Sequence, residues 1–251
     1  MTAKDYFFPE TQAGGFSRRD GTVEFFSRVN ALLTADAVVV DFGAGRGRGA
    51  AEDPVPYRRA LRSLQAKCRR LVAVDIDDAV LQNPSVDEAH LVREGERLPF
   101  ADSSIDLIVS DMTFEHIIDP EQTIAELKRV LKPGGWICAR TPNRWGYIGI
   151  GANLIPNRFH ASLLKYLQPQ RNEVDIFPTT YRLNTYQAFS KIFPANQFIN
   201  ATYSYTSEPS YLAQAKAAWW IMLLVERIIP PKLAPFWHIF LQKRHVGREA
   251  A

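Results

Sequence analysis

The stretch Val38-Val39-Val40-Asp41-Phe42-Gly43-Ala44-Gly45-Arg46-Gly47-Arg48-Gly49 decides the fold. Three β-branched residues without a polar break predict a strand buried on both faces, as in a parallel sheet. The glycines that follow let the backbone turn sharply and come close to a ligand. A buried strand running into a glycine-rich loop is the usual opening of a nucleotide-type site. The spacing narrows that reading. A dinucleotide fingerprint needs G-x-G-x-x-G, and counted from Gly43 its third glycine would fall on Arg48. Here glycine stands at every second position, with Asp41 two residues before the first.

Working outward, strands and helices alternate. Downstream, a helix is expected over 57–68, a second buried strand over 71–75, a short helix at 78–81 and a weak third strand over 89–92. A fourth strand follows over 105–110, then a helix that Asp119 caps with Pro120 in its first turn. Ile124, Leu127, Val130 and Leu131 form its apolar stripe, Pro133-Gly134-Gly135 ends it, and a fifth strand covers 136–140. Upstream, Met1 to Gly15 reads as a poorly ordered arm, and Ser17 as the cap of a helix over 18–33. Alternation of this kind argues a parallel sheet with right-handed crossovers.

Val-Asp-Phe-Gly-Ala-Gly-Arg-Gly resembles the first motif of class I S-adenosylmethionine (SAM)-dependent methyltransferases, here of the type 11-like domain family. The resemblance implies an α/β fold. It is a doubly wound, mostly parallel seven-stranded sheet, Rossmann-like, closed by an antiparallel edge hairpin. It also implies SAM at the C-terminal strand ends, with Asp41, Gly43, Ala44, Gly45 and Gly47 against it. Asp75, ending the second strand, suits the two ribose hydroxyls. Ile76 would then lie on the adenine face. Glu94-Gly95-Glu96-Arg97-Leu98-Pro99-Phe100 carries a second likeness. It implies that Glu94, or alternatively Glu96, accepts from the adenine amino group while the Gly95 backbone meets a ring nitrogen. Family members more often have Asp at the Glu94 position. Asp111 and Met112, after strand four, would flank the methionine end. The likeness covers residues 38–143.

Histidine titrates near neutral pH, so His116 is a candidate base for an acceptor hydroxyl, against the plainer reading of a locally packing histidine. After Thr141 the rhythm breaks into a segment rich in Pro, Gly, Arg and aromatics, read as an elaboration over the strand ends at about 143–183. A short helix is expected there near 161–167. Asn143, Arg144, Trp145, Tyr147, Asn157, Arg158, Tyr181 and Arg182 suit a polar, aromatic acceptor pocket, with His160 as a second base candidate. Beyond it come a helix over 185–193, a strand over 198–205, a long apolar helix at about 211–229 and a last strand over 236–243. The long helix reads first as core. The alternative is an interface role, in peripheral membrane contact or in a homodimer, since Trp and Arg suit such a surface.

Bulk composition bounds the rest. With 251 residues, 46% hydrophobic and 23% charged, the chain suits one large domain spanning 1–251. A net charge of +3 is too mild to argue a nucleic-acid partner. Cys68 and Cys138 imply no disulfide framework and suit a cytoplasmic setting. No metal is expected, because no ligand cluster has the spacing for one. The function expected is methyl transfer from SAM, to oxygen rather than carbon or nitrogen, on a small-molecule, glycan or lipid-precursor acceptor. Two alternatives share the fold: an NAD(P)-dependent oxidoreductase, and a SAM-fold binding protein without turnover.

Overall fold

The computed structural model describes residues 2–147, 150, 179–209 and 215–245. The sheet order is β3-β2-β1-β4-β5-β8-β6, with β7 also on β8. β1 (Val38–Phe42), β2 (Arg70–Asp75), β3 (Glu88–Leu91), β4 (Ile105–Asp111) and β5 (Leu131–Pro142) run parallel. β8 (Phe236–Lys243) returns antiparallel along β5. β6 (Phe198–Asn200) and β7 (Tyr203–Tyr205) pair with the other side of β8, so they share one edge, and eight strands fill seven positions.

The run Val38-Val39-Val40 behaves as its chemistry demands. Val39 faces one side with Leu71, Leu107, Val109, Cys138 and Phe240; Val40 faces the other with Val74, Ile108, Ile137 and Ile239. The first face is covered by α2 (Gly21–Leu32) and α4 (Pro56–Arg62), the second by α5 (Pro120–Val130) and α6 (Tyr186–Ile192). Strand alternation therefore feeds two cores, and the glycine loop emerges between them at the C-terminal edge.

Several boundaries differ from expectation, each for a local reason. The N-terminal arm is ordered. α1 (Ala3–Phe7) starts with a capping box between Thr2 and Asp5, and Phe8 and Ala3 are buried against Trp219. The next helix starts at Gly21 because Asp20, not Ser17, accepts from the Thr22 and Val23 N–H groups. Ser17 instead donates to Glu208. The loop after the glycines holds a one-turn helix, α3 (Arg48–Ala51). α4 stops at Arg62, where Ser63 turns extended. β5 begins at Leu131, directly after α5, and Pro133-Gly134-Gly135 forms a bulge inside it, with Gly134 at φ +84°. α5 itself has the expected Asp119 cap and Pro120. The long apolar helix, α7, is Lys216–Ile228 and lies between β7 and β8 in the chain. The helix expected near 161–167 lies outside the described residues.

Candidate functional site

The glycine loop is shaped by its neighbours. Gly43, Gly45 and Gly47 all have positive φ (+77°, +50°, +73°), where a side chain is strained. A Cβ on Gly43 would stand 2.2 Å from the Thr113 hydroxyl, and one on Gly47 would stand 2.1 Å from the Asn83 amide. At Gly45 a Cβ would meet nothing within 4 Å. The space over that residue is open.

Asp75 ends β2 facing this loop. Its Oδ2 accepts from the Gly45 N–H at 2.7 Å and its Oδ1 from the Asp77 N–H at 2.9 Å. Both oxygens are thereby oriented, and each keeps a lone pair. Two cavities meet here, sharing Gly43, Asp75, Ile76, Thr113 and His116. The first, about 120 Å³, is mostly apolar, with Val92, Leu98 and Ile117 beside Glu94 and Gly95. Ile76 is 59% exposed on its wall, an apolar side chain left for something to cover. The Gly95 carbonyl accepts from Gln122 at 2.7 Å, Glu94 Oε1 accepts from the Ile118 N–H at 3.2 Å, and Glu96 closes its own turn by accepting from the Arg93 N–H.

The second cavity, about 410 Å³, runs from the glycine loop to the β4 exit, past Asp41, Arg62, Asp111, Met112 and Glu115. Its electrostatics are uneven. Burial, with Asp111 and Asp75 nearby, raises the Asp41 carboxyl to about 7. Burial alone would raise Asp111 as well, but Arg140 and Arg62 hold it below its ordinary value. Arg140 grips it through two bonds of 2.7 and 2.8 Å. Burial pushes Glu115 up to about 7 although Thr141 donates to it at 2.8 Å. His116 Nε2 stands 4.0 Å from Glu115 Oε1. Met112 holds φ +63°, a strained setting for a non-glycine residue beside a cleft.

Residues 40–139 match the family model of the methyltransferase domain. Over that stretch the chain is similar to SAM-dependent methyltransferases. It is 35% identical over 116 residues to malonyl-acyl-carrier-protein O-methyltransferase 1 of Coxiella burnetii, a match over 46% of this chain and 36% of that one. The chain thus spans about a third of that curated relative's length. Among solved structures, a SAM-dependent methyltransferase from Archaeoglobus fulgidus shares the fold at TM-score 0.54 and 16% identity, covering 95% of this chain and 99% of that one. Geranyl diphosphate C-methyltransferase from Streptomyces coelicolor, solved with S-adenosyl-L-homocysteine, aligns at TM-score 0.52 and 14% identity over 89% and 76% of the two chains.

SAM is the cofactor of this family, and the cleft has the features to hold it. The open space over Gly45, the oriented Asp75 carboxylate and the apolar cavity past Ile76 all border the same cleft. Asp41, Gly43, Ala44, Gly45, Gly47, Asp75, Ile76, Glu94, Gly95, Asp111 and Met112 all line one or both cavities.

The acceptor side departs from expectation. Asn143 is fully buried and corrects the sequence reading. Its amide donates to the Lys232 and Ala234 carbonyls, and its Oδ1 accepts from the Trp145 N–H, so it anchors the chain before β8 rather than facing a substrate. Arg144 stacks on Trp145, both exposed, and Tyr147 donates to Glu226 of α7. The Tyr181 N–H donates to the Glu115 carbonyl and Arg182 to the Ile118 carbonyl, so these two brace the segment that carries His116. None of Arg144, Trp145, Tyr147, Tyr181 and Arg182 lines either cavity. Asn157, Arg158 and His160 lie outside the described residues.

Sequence reading missed Glu115 and Arg62 as cleft residues, while Thr113 lines the cleft with the Asp111-Met112 stretch it belongs to. Thr113 donates to the Gly43 carbonyl at 3.3 Å, which ties the glycine loop to the chain leaving β4. The available signal for Glu115 was its place beside His116 at the end of a strand. Nothing in the run of arginines over 58–62 distinguishes Arg62 from its neighbours.

Proposed function

We propose that this chain methylates an oxygen on a small-molecule, glycan or lipid-precursor acceptor, using SAM, within one domain spanning 1–251. The observation that carries this reading is His116. It lines both cavities, at the junction of the proposed nucleoside and methionine ends, with the buried Glu115 carboxyl 4.0 Å away. The relative in Coxiella burnetii is named an O-methyltransferase, which supports oxygen as the acceptor atom.

SAM supplies a methyl carbon already activated by a sulfonium. The chain therefore has to hold the acceptor in line and remove its proton. Asp75 and the glycine loop hold the ribose and methionine. Ile76, Val92, Leu98 and Ile117 exclude water around the base. The His116 imidazole takes the acceptor proton, and Glu115 steadies the imidazolium that forms. The Thr141 hydroxyl holds Glu115 and in turn accepts from Asn184 at 2.6 Å, so the acid is fixed by β5 and by the chain returning from the elaborated segment.

Transfer of labelled methyl from SAM to a panel of hydroxyl- and carboxyl-bearing acceptors tests this. His116→Ala is expected to lower kcat about 10²- to 10⁴-fold while SAM binds within a few-fold of wild type. An unchanged kcat removes His116 from the reaction. SAM binding with no acceptor turned over would support the non-catalytic alternative.

A further inference from the structure

The long apolar helix is not core. Within α7 (Lys216–Ile228) only Trp219 is buried, against Phe7 and Phe8 of the N-terminal segment. Trp220, Ile221, Leu224 and Ile228 are 55%, 64%, 47% and 81% exposed. Lys216, Trp220, Leu224 and Ile228 follow each other at four-residue steps, so they form one ridge along the helix. Ala217 and Ile221 lie on one flank of that ridge, Arg227 on the other. The outward face of α7 is therefore large apolar groups and two cations, and its acid, Glu226, is turned inward. There Glu226 takes an ion pair from Arg19 at 2.6 Å and a hydrogen bond from Tyr147. Beside the basic flank lies a groove lined by Arg18, Arg19 and Arg227 together with Phe8 and Leu223.

Four large apolar side chains on one stripe exceed the single scattered hydrophobics normal for a protein surface. We propose that this face is a docking surface for an anionic lipid membrane, with Trp220, Ile221, Leu224 and Ile228 entering the headgroup–acyl boundary and Lys216 and Arg227 meeting lipid phosphates. A helix with an apolar face, a Trp on it and cations at its margin is the arrangement that lies in a membrane interface. No helix among the described residues is long and apolar enough to cross a membrane, so the surface is one for lying on a bilayer. Charge chooses between the occupants. Pairing the stripe with a second copy would bring cations against cations, whether the helices ran parallel or antiparallel. An anionic surface complements all of them. Tyr147, a few residues past β5, donates to Glu226 at 3.0 Å and so ties α7 to the chain leaving that strand. The surface is inferred from α7 alone and stands apart from the acceptor reading above.

The test is co-sedimentation of the full chain with phosphatidylcholine vesicles, with and without about one-third phosphatidylglycerol. Wild type is expected to partition at least tenfold more strongly onto the anionic vesicles. Leu224→Glu/Ile228→Glu is expected to abolish binding. Lys216→Glu/Arg227→Glu should lower it by about fivefold or more per reversed charge. All four positions are exposed, so thermal melts should stay close to wild type. SAM titration should also be unchanged, which keeps failure here separate from failure of the methyltransferase reading. No binding to either vesicle overturns the proposal, as does equal binding to both, or binding that survives both double variants. A concentration-dependent dimer that Leu224→Glu disrupts would assign the face to a second copy and overturn it too.

Discussion

Removal of one carboxylate, Asp75→Ala, tests the centre of the reasoning. The side chain has two tasks in the structure. It accepts from two backbone N–H groups, at 2.7 Å from Gly45 and 2.9 Å from Asp77, and these set the shape of the glycine loop and the turn after β2. Its remaining lone pairs are assigned to the two ribose hydroxyls of SAM. Hydrogen bonds to a charged group contribute about 1.5–3 kcal/mol each. The two ribose bonds together thus contribute on the order of 3–6 kcal/mol, or roughly 10²- to 10⁴-fold in Kd. The N–H groups are only partly buried, so water replaces the lost acceptor in part, and about 1 kcal/mol each is a fair cost. For a chain of this size that lowers Tm by roughly 4–8 °C. Isothermal titration with SAM and a thermal melt read the two effects separately. Asp75→Asn keeps one acceptor oxygen and should fall between alanine and wild type in both. A variant that binds SAM within about threefold of wild type would show that the carboxylate does not hold the ribose.

Other outcomes follow from the same geometry. Gly43→Ala forces a Cβ to 2.2 Å from the Thr113 hydroxyl at φ +77°, so SAM affinity should fall sharply and Tm with it; a wild-type titration would mean the loop is slack. Asn143→Ala strips partners from the Lys232 and Ala234 carbonyls and should cost about 2–3 kcal/mol in denaturant unfolding, whereas a purely substrate-facing residue would cost almost nothing. Glu115 and Asp41 each titrate near 7 when folded, above their unfolded values, so the folded chain holds these protons more tightly. The stability they contribute is present at acid pH and is lost as pH rises from about 4 through about 7, on the order of 3 kcal/mol for a carboxyl moved this far. Chemical unfolding of the SAM-free protein at a series of pH values should show that decline. Glu115→Gln should remove about half of it, leaving the Asp41 share, and an unaltered slope would take Glu115 out of the titration.

What the sequence determined by itself was local. Val38-Val39-Val40 dictates a strand buried on both faces, and the glycines after it dictate a positive-φ loop, because each rests on a residue's own backbone preferences. The start of α5 at Asp119-Pro120 and the span of β8 were legible for the same reason: caps and strand runs act within a few residues. That Asp41, the glycines, Asp75 and Asp111 would gather along one cleft was readable because they sit at strand ends, and a parallel sheet collects strand ends along one edge. Only the tertiary structure decided what each side chain faces. Phe8 orders the N-terminal arm through Trp219, more than two hundred residues away in the chain. Asn143 looks like a pocket residue in sequence and becomes an anchor because Lys232 and Ala234 pass beside it. Glu115 acquires its raised pKa from burial, and α7 its exposed apolar face from the absence of a covering element among the described residues. Burial depends on which distant segment packs against a residue, and no short-range pattern carries that information.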